Sequence, residues 1–146
     1  MRITRKTATI SGVMIALTLA ASFAISALYP ADAQDNSKLV VVWTSGDKDV
    51  AIKMVYMYTF NAKKQGWFDD VTFVIWGPSS KLLSEDAELQ EYLGRMKEAG
   101  INLQACIACA NMYGVTDKLR SMGVEVKGMG KPLTDMLKAD YKVITF

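Results

Sequence analysis

The chain has 146 residues, a length that suggests one domain, with 17 basic and 15 acidic side chains and a formal net charge of +2. It has no histidine, which removes Ser-His and Cys-His dyads, imidazole metal ligands and histidine proton transfer. Two cysteines alone cannot complete a four-ligand zinc site, so neither a metal nor a cofactor is expected.

The N-terminus reads as a separate segment. Arg2, Arg5 and Lys6 give a positive start, Ile10–Leu28 is uncharged and mostly apolar, and Ala31-Asp32-Ala33 offers the small residues of a cleavage site. This order predicts a secretory signal over residues 1–33. The apolar run is also long enough for an uncleaved membrane anchor, which is the alternative. Three of the 17 basic and one of the 15 acidic residues lie in that segment, so 14 of each remain in 34–146. The apparent basicity therefore belongs to the signal. With no Lys/Arg cluster left to track phosphates, nucleic acid is not an expected partner. Export would place the protein in the periplasm or an equivalent compartment, where disulfides persist.

Beyond a polar lead-in, Leu39–Trp43 is a β-branched run that predicts a strand buried on both faces. Thr44-Ser45-Gly46-Asp47 is turn and N-cap chemistry. A helix is expected over Lys48–Gln65, with Val50, Met54, Tyr58 and Ala62 as its apolar stripe and Met57 and Phe60 widening it. A helix so apolar suggests burial in an oligomer. Val71–Trp76 predicts a second strand, Gly77-Pro78-Ser79-Ser80 a turn with a serine cap, and Lys81–Ala99 one helix.

Ile101–Ala105 reads as a third strand and roughly Cys109–Met122 as a short helix interrupted at Gly114. Val124–Val126 reads as a fourth strand, and Gly128-Met129-Gly130 as a loop. Pro132 suits the first turn of another short helix, and Tyr141–Phe146 is the last strand. Five strands alternating with four helices predict a three-layer α/β/α domain on a mainly parallel five-stranded sheet.

Ligands of open parallel sheets bind beyond the carboxyl ends of the strands. That edge collects Thr44, Ser45, Gly46, Asp47, Gly77 and Ser79 as ligand-edge candidates, together with Cys106 and Cys109. The serines and Asp47 suit anion binding at helix starts, or plain capping. No glycine loop has a dinucleotide or P-loop pattern. Trp43 and Trp76 would stand near the cysteines, either walling a pocket or packing at the rim of the core.

Cys106 ends the third strand and Cys109 opens the next helix. Unpaired N–H groups at a helix start favour an anion, so a lowered thiol pKa is expected there. The spacing of three also lets the second thiol attack a disulfide or persulfide on the first. Two plainer readings compete: inert buried cysteines, and a structural disulfide whose minimal loop would add little stability. Met54, Met57, Met96 and Met136 fit core filling, while Met112 and Met129 fall nearest the cysteines.

VVWTSGD, ACIACANMYGV and the ADYKVITF tail together resemble the DsrE/DsrF-like family of sulfur-relay proteins. The family pattern is a cysteine ending the third strand, a glycine eight residues on and an acidic residue before the last strand; Cys106, Gly114 and Asp140 match it. The resemblance spans Leu39 to Phe146. It implies an α/β/α fold, trimers or hexamers, and a cysteine that accepts a persulfide and passes it on. By position that cysteine is Cys106, with Cys109 as partner thiol and Gly114 as a further site candidate. Relay members of the family work in the cytoplasm, whereas this chain reads as exported, so their pathways are not carried over.

Three functions are therefore weighed. The first is an exported persulfide carrier, possessing sulfurtransferase-like chemistry and served by a sulfur donor or acceptor protein or a sulfane-sulfur small molecule. The second is a thiol–disulfide oxidoreductase using Cys106 and Cys109. The third is a non-enzymatic small-ligand or Cu(I)-binding module. A membrane is a partner only if the N-terminal segment is retained.

Overall fold

Strand β1, Lys38–Trp43, is buried along all but its first residue, as its unbroken β-branched run demands. The computed structural model describes residues 37–146; the signal or anchor expected over 1–33 lies outside them. Strands β2 (Asp70–Ile75), β3 (Asn102–Cys106), β4 (Glu125–Lys127) and β5 (Tyr141–Thr145) complete a five-stranded sheet in the order β4-β3-β2-β1-β5. Every pairing is parallel.

That order decides which face each helix covers. From β1 to β4 the chain steps in one direction across the sheet, so right-handed crossovers put the connecting helices on one face. The step from β4 back to β5 reverses direction and sends its helix to the other face. The two apolar clusters match. Leu39, Val41 and Trp43 point into the larger core with Phe73, Ile75 and the helices before β4. Val40, Val42, Val74 and Cys106 point into a smaller one, closed by Met129, Leu133 and Met136.

Helix α1 covers residues 48–64: an α-helical start at Lys48–Val50, a π-helical segment at Ala51–Tyr56 and an α-helical end at Met57–Lys64. It buries Ala51, Val55, Tyr56, Thr59 and Ala62, while Met54 and Met57 stand exposed at 51% and 57%. The expected stripe through Met54 and Met57 is therefore wrong. Trp43 and Phe73 already fill the layer, stacked at 5.9 Å, so the helix meets them with its small side. Only Tyr56 inserts, edge-on to both at 5.4 Å.

The single helix expected over Lys81–Ala99 is two: α2 (Pro78–Glu85) and α3 (Ala87–Glu98). Asp86 separates them. Its carboxylate accepts the Leu89 N–H at 3.0 Å, capping α3, and pairs with Lys48 at 2.7 Å. That ion pair and the cap hold the Asp86 carboxyl below the usual carboxylate range. After β3 the chain forms α4 (Ile107–Met112) and α5 (Thr116–Ser121), then β4, then α6 (Gly130–Lys138), which alone follows the reversed crossover. Among the described residues no helix is long and apolar enough to cross a membrane.

Candidate functional site

The site begins with the alternation of β3. Leu103 and Ala105 face the larger core, so Cys106 faces the smaller one. Cys106 is also the N-cap residue of α4, in an extended conformation (φ −75°, ψ 113°). Its thiol makes no capping hydrogen bond, and only 6% of the residue is exposed. The expected amide-rich mouth around this sulfur is thus not what forms. The side chain follows its strand into an apolar cluster with Val40, Val42 and Val74.

Cys109, two residues into α4 beyond Ile107, packs half-buried against that cluster. Both cysteines are free thiols. Burial pushes the Cys109 thiol up, and so does its hydrogen bond to Cys106; the backbone N–H of Gly77 pulls the other way. The expected lowering is therefore reversed at Cys109. Desolvation, together with the Cys106 neighbour, outweighs the backbone groups of Gly77 and of Cys109 itself that favour the thiolate.

Gly77 reaches Cys109 because its backbone (φ 75°, ψ −137°) lies in a region that side-chain-bearing residues avoid. Ser79 sits beneath it. The Ser79 hydroxyl donates to the Trp43 carbonyl at 2.7 Å and accepts the Trp76 N–H at 3.1 Å, tying the ends of β1 and β2 together. Ser79 is thus neither a free anion ligand nor the helix cap; Gly77 holds the cap position of α2. Trp76 packs into the cysteine cluster, whereas Trp43 is wholly buried in the other core.

The remaining candidates are committed elsewhere. Thr44 Oγ donates to the Phe146 carbonyl at 2.6 Å, and Ser45 Oγ accepts the Asp47 N–H at 3.1 Å. Asp47 caps α1 through the Asp49 and Val50 N–H groups at 2.8 and 3.0 Å. Gly46 and Pro78 line a separate cavity of about 300 Å³ with Lys81, Leu82, Glu85 and Tyr113, and neither cysteine borders it. Gly114, at φ 67°, turns the chain between α4 and α5 and has open space around it.

Of the two methionines expected nearest the cysteines, Met129 is fully buried in their cluster, while Met112 is 84% exposed. One neighbour of Cys106 escapes a reading of the sequence. Lys127 stands directly beside Cys106 in the β3–β4 register. The strand expected to end at Val126 runs one residue further and brings it there.

The model of the DsrE/DsrF-like family matches residues 37–146. The chain belongs to that family. A solved relative, the conserved protein of unknown function BT1422 from Bacteroides thetaiotaomicron, is 34% identical with a TM-score of 0.74, over 78% of this chain and 98% of its own. The ychN protein from E. coli shares the fold with a TM-score of 0.59 at 17% identity, over 75% of this chain and 99% of its own. A comparison with curated proteins gave no match. The all-parallel five-stranded α/β architecture is thus the DsrE-like one, and the sequence resemblance stated for this chain is sound.

Proposed function

We propose that this DsrE/DsrF-like chain carries sulfane sulfur on Cys106, outside the cytoplasm. The observation that carries the reading is the pair of free thiols on one largely apolar cluster, Cys106 buried in it and Cys109 packed half-buried beside it. A persulfide held there is shielded from water and has a proton donor beside it. In the loading step the Cys106 thiolate attacks a terminal sulfane sulfur of a polysulfide. One S–S bond forms, one breaks, and the shortened polysulfide leaves with the electron pair. Because Cys106 is 6% exposed, the donor is small or displaces part of the cover.

Unloading has two routes. An acceptor thiolate takes the outer sulfur, leaving Cys106 as thiolate. Alternatively Cys109 loses its proton and attacks the inner sulfur, closing a Cys106–Cys109 disulfide and releasing hydrosulfide; an external dithiol then resets the pair. The raised Cys109 pKa favours the first route near neutral pH. The proximity of two free thiols also supports the oxidoreductase reading, which predicts a defined two-electron potential on redox titration.

The exported location rests on residues 1–33. The assembly we propose is a homo-oligomer that covers exposed Met54 and Met57 and an adjoining apolar cavity of about 330 Å³ bordered by Ile52, Phe60 and Tyr92. The carrier reading is tested by cyanolysis after polysulfide treatment and desalting. It expects about one cyanide-labile sulfur per chain. Absence of labile sulfur in the wild-type protein overturns it.

A further inference from the structure

Cys106 is nearly buried among apolar side chains, and its thiol makes no capping hydrogen bond. The sheet register sets a cation beside it. Cys106 pairs with Lys127, and Gln104 with Glu125, across β3 and β4. Paired residues of parallel strands project to the same face, about 5 Å apart at the backbone. The hydrogen bond from Gln104 Nε2 to Glu125 Oε2, 3.0 Å, confirms that these side chains share the cysteine face.

We propose that Lys127 is the positioning residue for the sulfur anion: its ammonium moves between the Glu125 carboxylate and the thiolate or persulfide on Cys106. In the structure Lys127 Nζ donates to Glu125 Oε2 at 2.7 Å, the parked position. Its side chain is 35% exposed, on the edge strand of the sheet. Glu125 stays satisfied when Lys127 leaves, because Gln104 donates to the same oxygen and the carboxylate is 59% exposed to water.

The charged and titratable surroundings, among the described residues, single out this pair. Strand β4 brings Lys127 and Glu125, α4 brings Cys109, and β5 brings the Tyr141 phenol to the cluster. Strands β1 and β2 contribute Val40, Val42 and Val74, and α6 contributes Leu133 and Met136. Lys38, at the start of β1, sits over the Tyr141 ring at 5.0 Å, at the opposite end of the strands from Cys106. The Lys131–Asp135 pair of α6 is turned to solvent, with side chains 83% and 57% exposed. Lys127 is the cation paired with Cys106 in the β3–β4 register, and Glu125 is its competitor for that ammonium.

The purpose of this device rests on the carrier reading, but its test does not. The pH profile of Cys106 alkylation by iodoacetamide, read by peptide mass spectrometry in a Cys109→Ser background, reports the thiolate directly. Lys127→Met is expected to move the profile to higher pH by about one unit, a roughly tenfold slower reaction at neutral pH. Lys127→Arg should restore most of it. Glu125→Gln, which frees the ammonium, should move it the opposite way, a sign that damage to the fold would not produce. Unchanged profiles in Lys127→Met and Glu125→Gln overturn the proposal even if cyanolysis still finds labile sulfur. Shifted profiles without labile sulfur would leave Lys127 in place and remove the carrier reading.

Discussion

Ser79 donates its hydroxyl proton to the Trp43 carbonyl at 2.7 Å, joining the end of β1 to the first turn of α2. The same oxygen accepts the Trp76 N–H, so one buried side chain fixes the loop that delivers Gly77 to Cys109. Its neighbour Ser80 is equally buried, yet its hydroxyl has no partner among the described residues. The two serines should respond differently to the same change. Ser79→Ala is expected to cost about 1–2 kcal/mol, and Ser80→Ala to be neutral or slightly stabilising. Urea midpoints of the two variants check this; equal losses would show that volume, not bonding, governs the turn.

Gly77→Ala should cost about 1–3 kcal/mol, because alanine is strained at φ 75°. It should also slow Cys109 alkylation. The Gly77 N–H is what opposes burial at that thiol, and moving it away leaves the thiol harder to ionise. In a Cys106→Ser background the Cys109 alkylation rate should still rise only above the ordinary thiol range, since burial is the largest cause of the shift. A Cys109 that reacts fully at neutral pH would contradict this.

Tyr56 carries a testable pH dependence. Burial raises its phenol well above the usual tyrosine range, and its hydroxyl has no partner among the described residues. The folded-state pKa lies above the unfolded one, so the phenol's contribution is fully present below about pH 10 and is lost as pH rises beyond it. Tyr56→Phe should leave stability at neutral pH unchanged or higher by up to about 1 kcal/mol, and should flatten the fall in stability above pH 10. Chemical denaturation at pH 7 and pH 11 separates the two effects.

The exposed Met57 tests the assembly. Met57→Glu places a charge on the apolar face of α1 without touching the sheet, so folding should survive while the proposed oligomer dissociates. Light scattering coupled to size exclusion gives the mass of each. A wild-type monomer, or a variant of unchanged mass, would contradict a shared face at α1.

Much of the fold was legible because parallel strands advertise themselves. The β-branched runs at 39–43 and 71–75 are buried on both sides, and the helices between them leave few alternatives to right-handed crossovers. The cysteines were legible as a pair at the end of β3. What the sequence concealed depends on contacts across elements. Asp86 reads as one more acidic residue in a helix until Lys48 and the Leu89 N–H meet it. Met54 and Met57 read as core until Trp43 and Phe73 occupy the space. Lys127 acquires meaning only through the β3–β4 register, which no single-chain periodicity encodes.

The most direct measurement is peptide-mapped mass spectrometry of the wild-type, Cys106→Ser and Cys109→Ser proteins after polysulfide treatment. The account predicts an adduct of about 32 mass units, one sulfur atom, on Cys106 in the wild-type and Cys109→Ser proteins and none in Cys106→Ser. An adduct that settles on Cys109, equally abundant when Cys106 is absent, would contradict it.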